Sequence, residues 1–184
     1  MRRLRAVAAA ALALLLAACA MPGNRIAPGE PFDVIGRVLV SGEGRALASG
    51  FRWRSEAGVE EFWLLSPVGQ TLAHIVADGA GAVLTTPDQQ EYRDSSVESL
   101  TRRALGWPLP LAELGYWLQA LPVPGQAARI LPGDDGRPQQ LEQAGWSVRY
   151  GYAGEEQRPR RLELSREGQQ IRLVIDERRK AEAP

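Results

Sequence analysis

The chain has 184 residues, with 22 basic and 22 acidic side chains, one histidine and one cysteine. This length suits a single domain with a sizeable core. The balanced charge argues against a nucleic-acid binder, whose surface carries a concentrated basic face. A zinc site draws on several His or Cys ligands, so the composition argues against one as well.

The N-terminus has the pattern of a secretory signal. Three arginines within the first five residues precede an apolar stretch, residues 6–18, that ends at Cys19. A basic region followed by a short apolar region indicates a cleaved signal, and the stretch is shorter than the roughly 20 residues that cross a bilayer. The run Leu16-Ala17-Ala18-Cys19 resembles the bacterial lipobox, in which the cysteine receives a diacylglycerol and, after cleavage, an N-acyl chain. The alternative is an ordinary secreted protein with a chance cysteine in its signal.

This anchor predicts both location and domain organisation. Two or more acyl chains hold a protein stably on a membrane, and Ala20 and Met21, in place of an acidic residue after Cys19, favour the outer membrane of a Gram-negative cell. The domain would then face the periplasm. We therefore predict a signal peptide at residues 1–18, an acylated N-terminus and flexible tether at 19–31, a folded domain at 32–176 and a charged tail at 177–184. Without the signal, 19 basic residues remain against 22 acidic ones, a net charge of −3.

Most of the folded domain alternates apolar and polar residues with period two, which predicts strands with one buried face. Residues 32–40 form the first such segment, and Phe51 and Trp53 alternate with arginines in the second. Residues 62–65 are apolar on both faces. Shorter segments follow at 71–77, 82–85 and 91–93, each bounded by Gly, Pro or Asp.

The middle of the chain changes to helical spacing. Ser95 and Glu98 match a capping box at a helix start, with Gly106 at its end. Pro108 and Pro110 open a second predicted helix that carries Trp117 on its apolar side. Strands then resume at residues 140–143, 146–152, 162–164 and 171–175. We predict a mainly β (α+β) fold of about eleven strands: one antiparallel sheet curled into a half-open barrel, with a helical lid inserted after the sixth strand.

The inventory for catalysis is small. His74 could act as a general base or simply occupy a polar strand position, and no nucleophile is placed to complete a triad with it. Asp134 and Asp135 could contact calcium or form an acidic turn. The sequence contains no phosphate-binding Gly-x-x-x-x-Gly-Lys-Ser/Thr run. We expect a binding protein, not an enzyme, with no catalytic or metal-ligating residues and no cofactor beyond the acyl groups on Cys19.

Large apolar residues are the more informative feature. Five tryptophans in one small domain are explained by a packed core, but a strand that is apolar on both faces is either covered twice or faces an apolar ligand. The turn at residues 66–70 contains Pro67 and Gly69, which suit a tight turn. Val68 at its tip could fold back on the sheet or be exposed.

The order of these motifs resembles the LolB family of outer-membrane lipoprotein receptors, from about Phe32 to Ile175. The matching fragments are Gly36-Arg37, Gly50-Phe51-x-Trp53, Ser66-Pro67-Val68-Gly69, Leu105-Gly106-Trp107-Pro108-Leu109-Pro110-Leu111, Trp117-Leu118 and Gly145-Trp146-x-Val148-x-Tyr150. The resemblance implies a half-open barrel whose helical lid encloses an apolar cavity. It also implies acceptance of lipoproteins from the soluble periplasmic carrier LolA and their insertion into the outer membrane without nucleotide hydrolysis.

The resemblance also implies roles for particular residues. Cys19 would bear the anchor, and the loop Pro67-Val68-Gly69 would contact the membrane, with Val68 at the position where the family usually has Leu. Our candidates for the cavity wall are large apolar residues, although alternation does not reveal which face is concave: Phe51, Trp53, Trp63, Leu65, Trp117, Trp146 and Val148. The expected partners are a LolA-type carrier, the acyl chains of client lipoproteins and outer-membrane lipid, with no nucleic acid, and the chain is expected to act as a monomer. A passive outer-membrane lipoprotein that serves as a structural or assembly partner is the alternative.

Overall fold

The computed structural model describes residues 31–42 and 44–179. Cys19, the signal and nearly all of the predicted tether lie outside the described residues, as does the end of the predicted tail. The described part contains eleven strands and two helices: β1 (Phe32–Gly42), β2 (Arg45–Glu56), β3 (Val59–Leu65), β4 (Thr71–Asp78), β5 (Gly81–Thr85), β6 (Glu91–Asp94), α1 (Val97–Leu105), α2 (Leu111–Trp117), β7 (Ala128–Pro132), β8 (Pro138–Gln143), β9 (Trp146–Gly151), β10 (Arg161–Arg166) and β11 (Gln169–Arg179).

The strands form one antiparallel sheet in the order β6-β5-β4-β3-β2-β1-β11-β10-β9-β8-β7. β1 pairs with both β2 and β11, so the two ends of the domain meet in the middle of the sheet. The sheet does not close, because β6 and β7 remain as its edges. The segment that carries both helices connects these two edges and therefore spans the opening. The predicted half-open barrel with helices inserted after the sixth strand is confirmed.

Alternation places one side chain in two on the inner face, which we define as the face that packs against the helices. In β1 the inner row contains Val34, Val38 and Val40, all buried. Gly36 interrupts this row because the ring of Phe51 packs over it. A Cβ at Gly36 would lie 3.0 Å from that ring and 2.1 Å from the carbonyl oxygen of Val174.

The first helix begins one residue later than the capping pattern predicts. Ser96 is the N-cap, and its Oγ accepts a hydrogen bond from the backbone N–H of Ser99 at 3.2 Å. The prediction of Ser95 is wrong because the N–H and hydroxyl of that residue are directed to the carboxylate of Asp94. Gly106 ends the helix as predicted, in the left-handed conformation. Within residues 31–42 and 44–179, neither helix has the length and hydropathy of a membrane-spanning segment.

The last strand is longer than the sequence pattern predicts. β11 runs to Arg179, so its final three residues fall in the stretch assigned above to a charged tail. Pairing with β1 continues through Glu177, Arg178 and Arg179, after a bulge next to Gly36. The bulge changes which residues face inward, and the charged end of the strand therefore remains part of the sheet.

Candidate functional site

An aromatic layer covers the inner face of β1, β2 and β3. Phe32 meets Trp53 edge-on, with ring centroids 5.0 Å apart, and Phe51 stacks on Phe62 at 5.5 Å. Trp53 also contacts Phe62 at 5.8 Å. All four rings are buried. Gly115 of α2 lies directly over Trp53, where even a Cβ would be 3.7 Å from the indole.

A second aromatic pair joins the helical segment to the other half of the sheet. Trp117 at the end of α2 contacts Trp146 at the start of β9, with centroids 6.2 Å apart. Val148 and Leu141 are buried beside them. Together, the two groups form a continuous apolar layer between the sheet and the helices.

The structure brings five of the seven predicted cavity residues into this layer: Phe51, Trp53, Trp117, Trp146 and Val148. It does not bring Trp63 and Leu65 there, and their assignment to the interior needs correction. Both are half-buried on the outer face, where Trp63 pairs with Arg52 and Leu65 with Gly50. The physical reason is the period of two in β3, which sends Phe62 and Leu64 inward instead.

Gln143 is a polar residue within the apolar layer that sequence reasoning missed. Its side chain is buried, and its Oε1 accepts hydrogen bonds from the Trp117 indole N–H at 3.0 Å and the Val123 backbone N–H at 2.8 Å. Its Nε2 donates to the carbonyl oxygens of Val123 and Gln126, at 2.9 and 3.3 Å. One carboxamide therefore fixes both the end of α2 and the chain that follows it. The sequence did contain an indication, because Gln143 is two residues from the apolar Leu141 and therefore lies on the same face of the strand.

Glu60 is a second polar group on the inner face. It lies near the residues that begin the two helices. Its carboxylate accepts the Trp53 indole N–H at 2.5 Å and the Ser55 hydroxyl at 2.6 Å. Burial raises the pKa of Glu60, and these two hydrogen bonds act in the opposite direction. The carboxylate thus orients the indole of Trp53 at the edge of the apolar layer.

Ion pairs and side-chain hydrogen bonds attach the helical segment to β10 and β11. Glu98 of α1 pairs with Arg166 at 3.2 Å, and the guanidinium of Arg166 lies 4.5 Å from the ring of Trp146. Gln169 donates to the carbonyl oxygen of Pro108 at 3.0 Å. Because the Glu98 and Arg166 side chains are partly exposed to water, their ion pair contributes little to stability.

Arg178 makes a more buried connection at the end of α2. Its Nη2 donates to the carbonyl oxygens of Leu118 and Pro159, at 3.2 and 2.8 Å. Burial, together with the positive charge of Arg158, lowers the pKa of Arg178 to about 10. The guanidinium remains protonated at neutral pH and donates to the carbonyl of Leu118 at the helix end, where the last carbonyls have no partner within the helix.

The interior is filled in this conformation, since the helical side chains Leu114, Trp117 and Leu118 are fully buried against the sheet. Clefts occur where the helical segment meets the sheet. One of about 310 Å³ lies between Glu60 and the starts of both helices. Another, of about 620 Å³, lies beside Trp107. A ligand could reach the apolar layer only if the helices moved.

The loop after β3 projects its apolar tip into solvent. The backbone N–H of Gly69 donates to the carbonyl of Ser66 at 2.9 Å, and the Ser66 hydroxyl accepts the N–H of Gln70 at 3.0 Å. Gly69 has φ +82°, which closes the turn after Pro67 and Val68. Val68 is 81% exposed. Of the two interpretations left open above, the structure shows the exposed one.

Two polar residues considered above for catalysis or metal binding, His74 and Asp135, contact neighbouring side chains of the domain. His74 stacks on Trp63, with centroids 4.7 Å apart. Asp135 accepts hydrogen bonds from the backbone N–H and guanidinium of Arg137, which lower the pKa of its carboxyl group. Within residues 31–42 and 44–179, no group of three or more His, Cys, Asp or Glu side chains is arranged to hold a metal ion.

Comparison with known proteins identifies the family. The family model described as "Outer membrane lipoprotein LolB" matches residues 30–177. The chain belongs to the LolB family. It is 42% identical to the outer-membrane lipoprotein LolB of Thiobacillus denitrificans over 96% of this chain and 97% of the relative. It is 36% identical to that of Chromobacterium violaceum, over 94% of this chain and 97% of the relative. As a member of this family, the chain is a lipid-anchored lipoprotein of the outer membrane and acts as a lipoprotein receptor in the Lol pathway.

Solved structures support the fold alone. A DUF1329 family protein from Desulfovibrio piger has a TM-score of 0.54 at 8% identity, covering 88% of this chain and 90% of that protein. A putative outer membrane lipoprotein-sorting protein domain from Vibrio parahaemolyticus has a TM-score of 0.50 at 10% identity, covering 84% and 87%.

Proposed function

We propose that this receptor accepts acylated lipoproteins from a soluble LolA-type carrier, holds their acyl chains against the inner face of the sheet and releases them into the outer membrane. We propose further that it acts as a monomer and is anchored by acyl groups on Cys19. The observation that supports this most strongly is the apolar layer between an unclosed sheet and a helical segment that spans its opening. Such a layer offers acyl chains a dry surface once the helices move aside.

The contacts of the helical segment suggest where it opens. α1 is held to β10 by the partly exposed Glu98–Arg166 pair, whereas the end of α2 is held by the buried Gln143 and the half-buried Arg178. Exposed ion pairs typically contribute about 0–1 kcal/mol, and a buried polar group left without its partner costs about 1–3 kcal/mol. We therefore propose that the segment opens between α1 and β10 and remains attached near Gln143.

Transfer in this proposal needs no chemical energy from the receptor. Apolar chains move spontaneously towards whichever site removes more of their surface from water. A tenfold preference over the carrier requires about 1.4 kcal/mol. We propose that direction comes from relative affinity, first of the receptor over the carrier and then of the bilayer over the receptor. No residue is assigned a catalytic role.

The first experiment mixes the domain, without its anchor, with a carrier that holds an acylated lipoprotein. We expect the lipoprotein to co-purify with the domain after separation from the carrier. A matched variant, Trp117→Glu, should fail to accept it because it places a charge in the apolar layer. Retention of all lipoprotein on the carrier, with both proteins folded, would contradict the proposal.

The filled interior also favours a second candidate, a passive outer-membrane lipoprotein that serves as a structural partner. This candidate predicts that the helices stay in place. Cysteines introduced at Glu98 and Arg166, whose side-chain ends meet, would be joined by a bis-methanethiosulfonate cross-linker that spans the length of the ion pair and holds α1 against β10. We expect the cross-linked variant to lose acceptance of the lipoprotein and to regain it when reduction removes the cross-linker. Equal transfer in both states would show that opening at this side is not needed.

A further inference from the structure

We propose that the outer face of the β3–β4 hairpin forms an extended contact with the phospholipid bilayer, behind the tip residue Val68. We define this hairpin outer face by four residues: Trp63, Leu65, Leu72 and His74. The inference rests on the proposed delivery of lipoproteins into the membrane and adds a surface to it. The ligand is the interfacial region of a bilayer, where headgroups meet the acyl chains.

The polarity of the hairpin changes with distance from its tip. Val68 is 81% exposed at the tip, and Leu72 is 44% exposed at the start of β4. Leu65 lies at the same level, since it pairs with Thr71. Trp63 and His74 pair with each other in the row behind. At about 3.4 Å per residue, this row is about 7 Å further from the tip than Leu65.

This order matches the order of polarity in a bilayer. Apolar side chains come first, where acyl chains would be, and the tryptophan follows nearer the headgroups. Its distance of about 7 Å behind Leu65 is comparable to the depth, about 5–10 Å, to which interfacial helices bury their apolar face. Tryptophan is enriched at membrane interfaces because its ring is apolar while its N–H donates a hydrogen bond.

Two side chains hold the ring of Trp63 in place. The guanidinium of Arg52 is 5.5 Å from the centre of the Trp63 ring and is fixed by a two-point contact with Asp33. His74 stacks on Trp63 with nearly parallel rings, 8° apart. The ring is therefore held against the sheet before it meets a membrane, which reduces the entropy lost on contact.

Charge distinguishes this end of the hairpin from the other. From Trp63 to Ala77 the sequence contains no Asp, Glu, Lys or Arg. On the same outer face, the opposite end of β3 carries Glu61, close to Glu56 at the end of β2. Approach to an anionic membrane is unfavourable for an acidic surface, so the two ends differ in what they can contact. Val59 at the acidic end is 38% exposed and has the same side chain as Val68.

The test uses the full acylated chain reconstituted in phosphatidylcholine vesicles that contain brominated phosphatidylcholine, which quenches nearby tryptophan fluorescence. Trp53, Trp117 and Trp146 are buried and Trp107 nearly so, whereas Trp63 is only half-buried. We expect bromines close to the headgroup to quench more than bromines near the end of the acyl chain. Most of that quenching should be absent in Trp63→Phe. Equal quenching of the wild type and Trp63→Phe would overturn the inference.

A second measurement is the rate of lipoprotein release into unlabelled vesicles. We expect Leu72→Glu to slow release by about tenfold, since a charge at the interface opposes contact, and Leu39→Glu, on the same sheet face but in β1, to have little effect. Equal rates for these two variants would count against the inference.

Val68→Glu and Val59→Glu test separately whether the tip contacts the membrane during release, as the family resemblance implies. If Val68→Glu alone slows release while Trp63→Phe and Leu72→Glu behave as their controls, the tip contact stands and the extended contact is wrong. If Val68→Glu matches Val59→Glu, the tip has no role in release, and the quenching alone decides whether the hairpin outer face meets lipid. A Trp63 that is insensitive to bromine but changes fluorescence when the carrier is added would assign this face to a protein and overturn the bilayer contact.

Discussion

Replacing Gln143 with Leu should loosen the helical segment without changing the fold. The substitution keeps the volume of the side chain but removes the acceptor of two hydrogen bonds, from the Trp117 indole and the Val123 backbone. The Trp117 indole N–H is fully buried and cannot bond to water instead, so the loss of its hydrogen bond to Gln143 costs about 1–3 kcal/mol. The half-buried Val123 N–H adds less. We expect the free energy of unfolding to fall by about 2–4 kcal/mol.

Urea unfolding and hydrogen exchange measure this effect on different scales. Gln140→Leu is the matched control, because Gln140 lies on the outer face of the same strand and its Nε2 donates to the half-buried side chains of Glu142 and Ser147. We expect that variant to change stability by less than about 0.5 kcal/mol. Gln143→Leu should also speed amide exchange in residues 117–126 more than in β1. Equal stability of the two variants and unchanged exchange would refute the role given to Gln143.

Two further predictions concern the inner face of the sheet. Gly36→Ala should reduce stability by about 1–3 kcal/mol in thermal or urea unfolding, since its Cβ would clash with the Val174 carbonyl and press on Phe51; Gly79→Ala, where the space is open, should leave it almost unchanged. Glu60→Gln should flatten the pH dependence of stability above pH 4.5, the ordinary pKa of a glutamate side chain. Burial raises the pKa of Glu60 in the folded protein. Glu60 therefore contributes fully to the free energy of unfolding at lower pH, and this contribution is lost as the pH rises through the raised pKa. Urea unfolding from pH 4 to 8 should show a steeper decline for the wild type, and identical slopes would contradict this account.

Much of the fold was predictable because alternation is a local property. The pattern in residues 32–40 and 146–152 follows directly from one buried and one exposed face, and the change to helical spacing after residue 95 marks the inserted helices. The pairing of β1 with β11 was not predictable in this way, since it depends on contacts between the two ends of the domain. The exact N-cap also depended on context: Ser95 and Ser96 are both suitable, and the hydrogen bonds to Asp94 decide between them.

The candidate site was less predictable where both faces of a strand are apolar. In residues 62–65 alternation cannot tell inside from outside, and only the register with Phe51 and Trp53 places Phe62 inward and Trp63 outward. Polar residues of the interior were overlooked for a related reason. Gln143 and Arg178 resemble surface residues until the positions of Leu118, Trp117 and Val123 supply their partners.

A filled interior is compatible with a lipid receptor if helices and acyl chains exchange places. Exposing Leu114, Trp117 and Leu118 would cost about 5–9 kcal/mol, at about 1.5–3 kcal/mol for each side chain. An acyl chain regains about 0.8 kcal/mol for each methylene that it buries, so about six to eleven methylenes offset the opening. Each further pair of methylenes should then raise affinity about tenfold until the inner face is covered. Displacement of a fluorescent apolar probe by fatty acids of increasing length measures this, and an affinity that does not depend on length would instead indicate that the helices never leave the sheet.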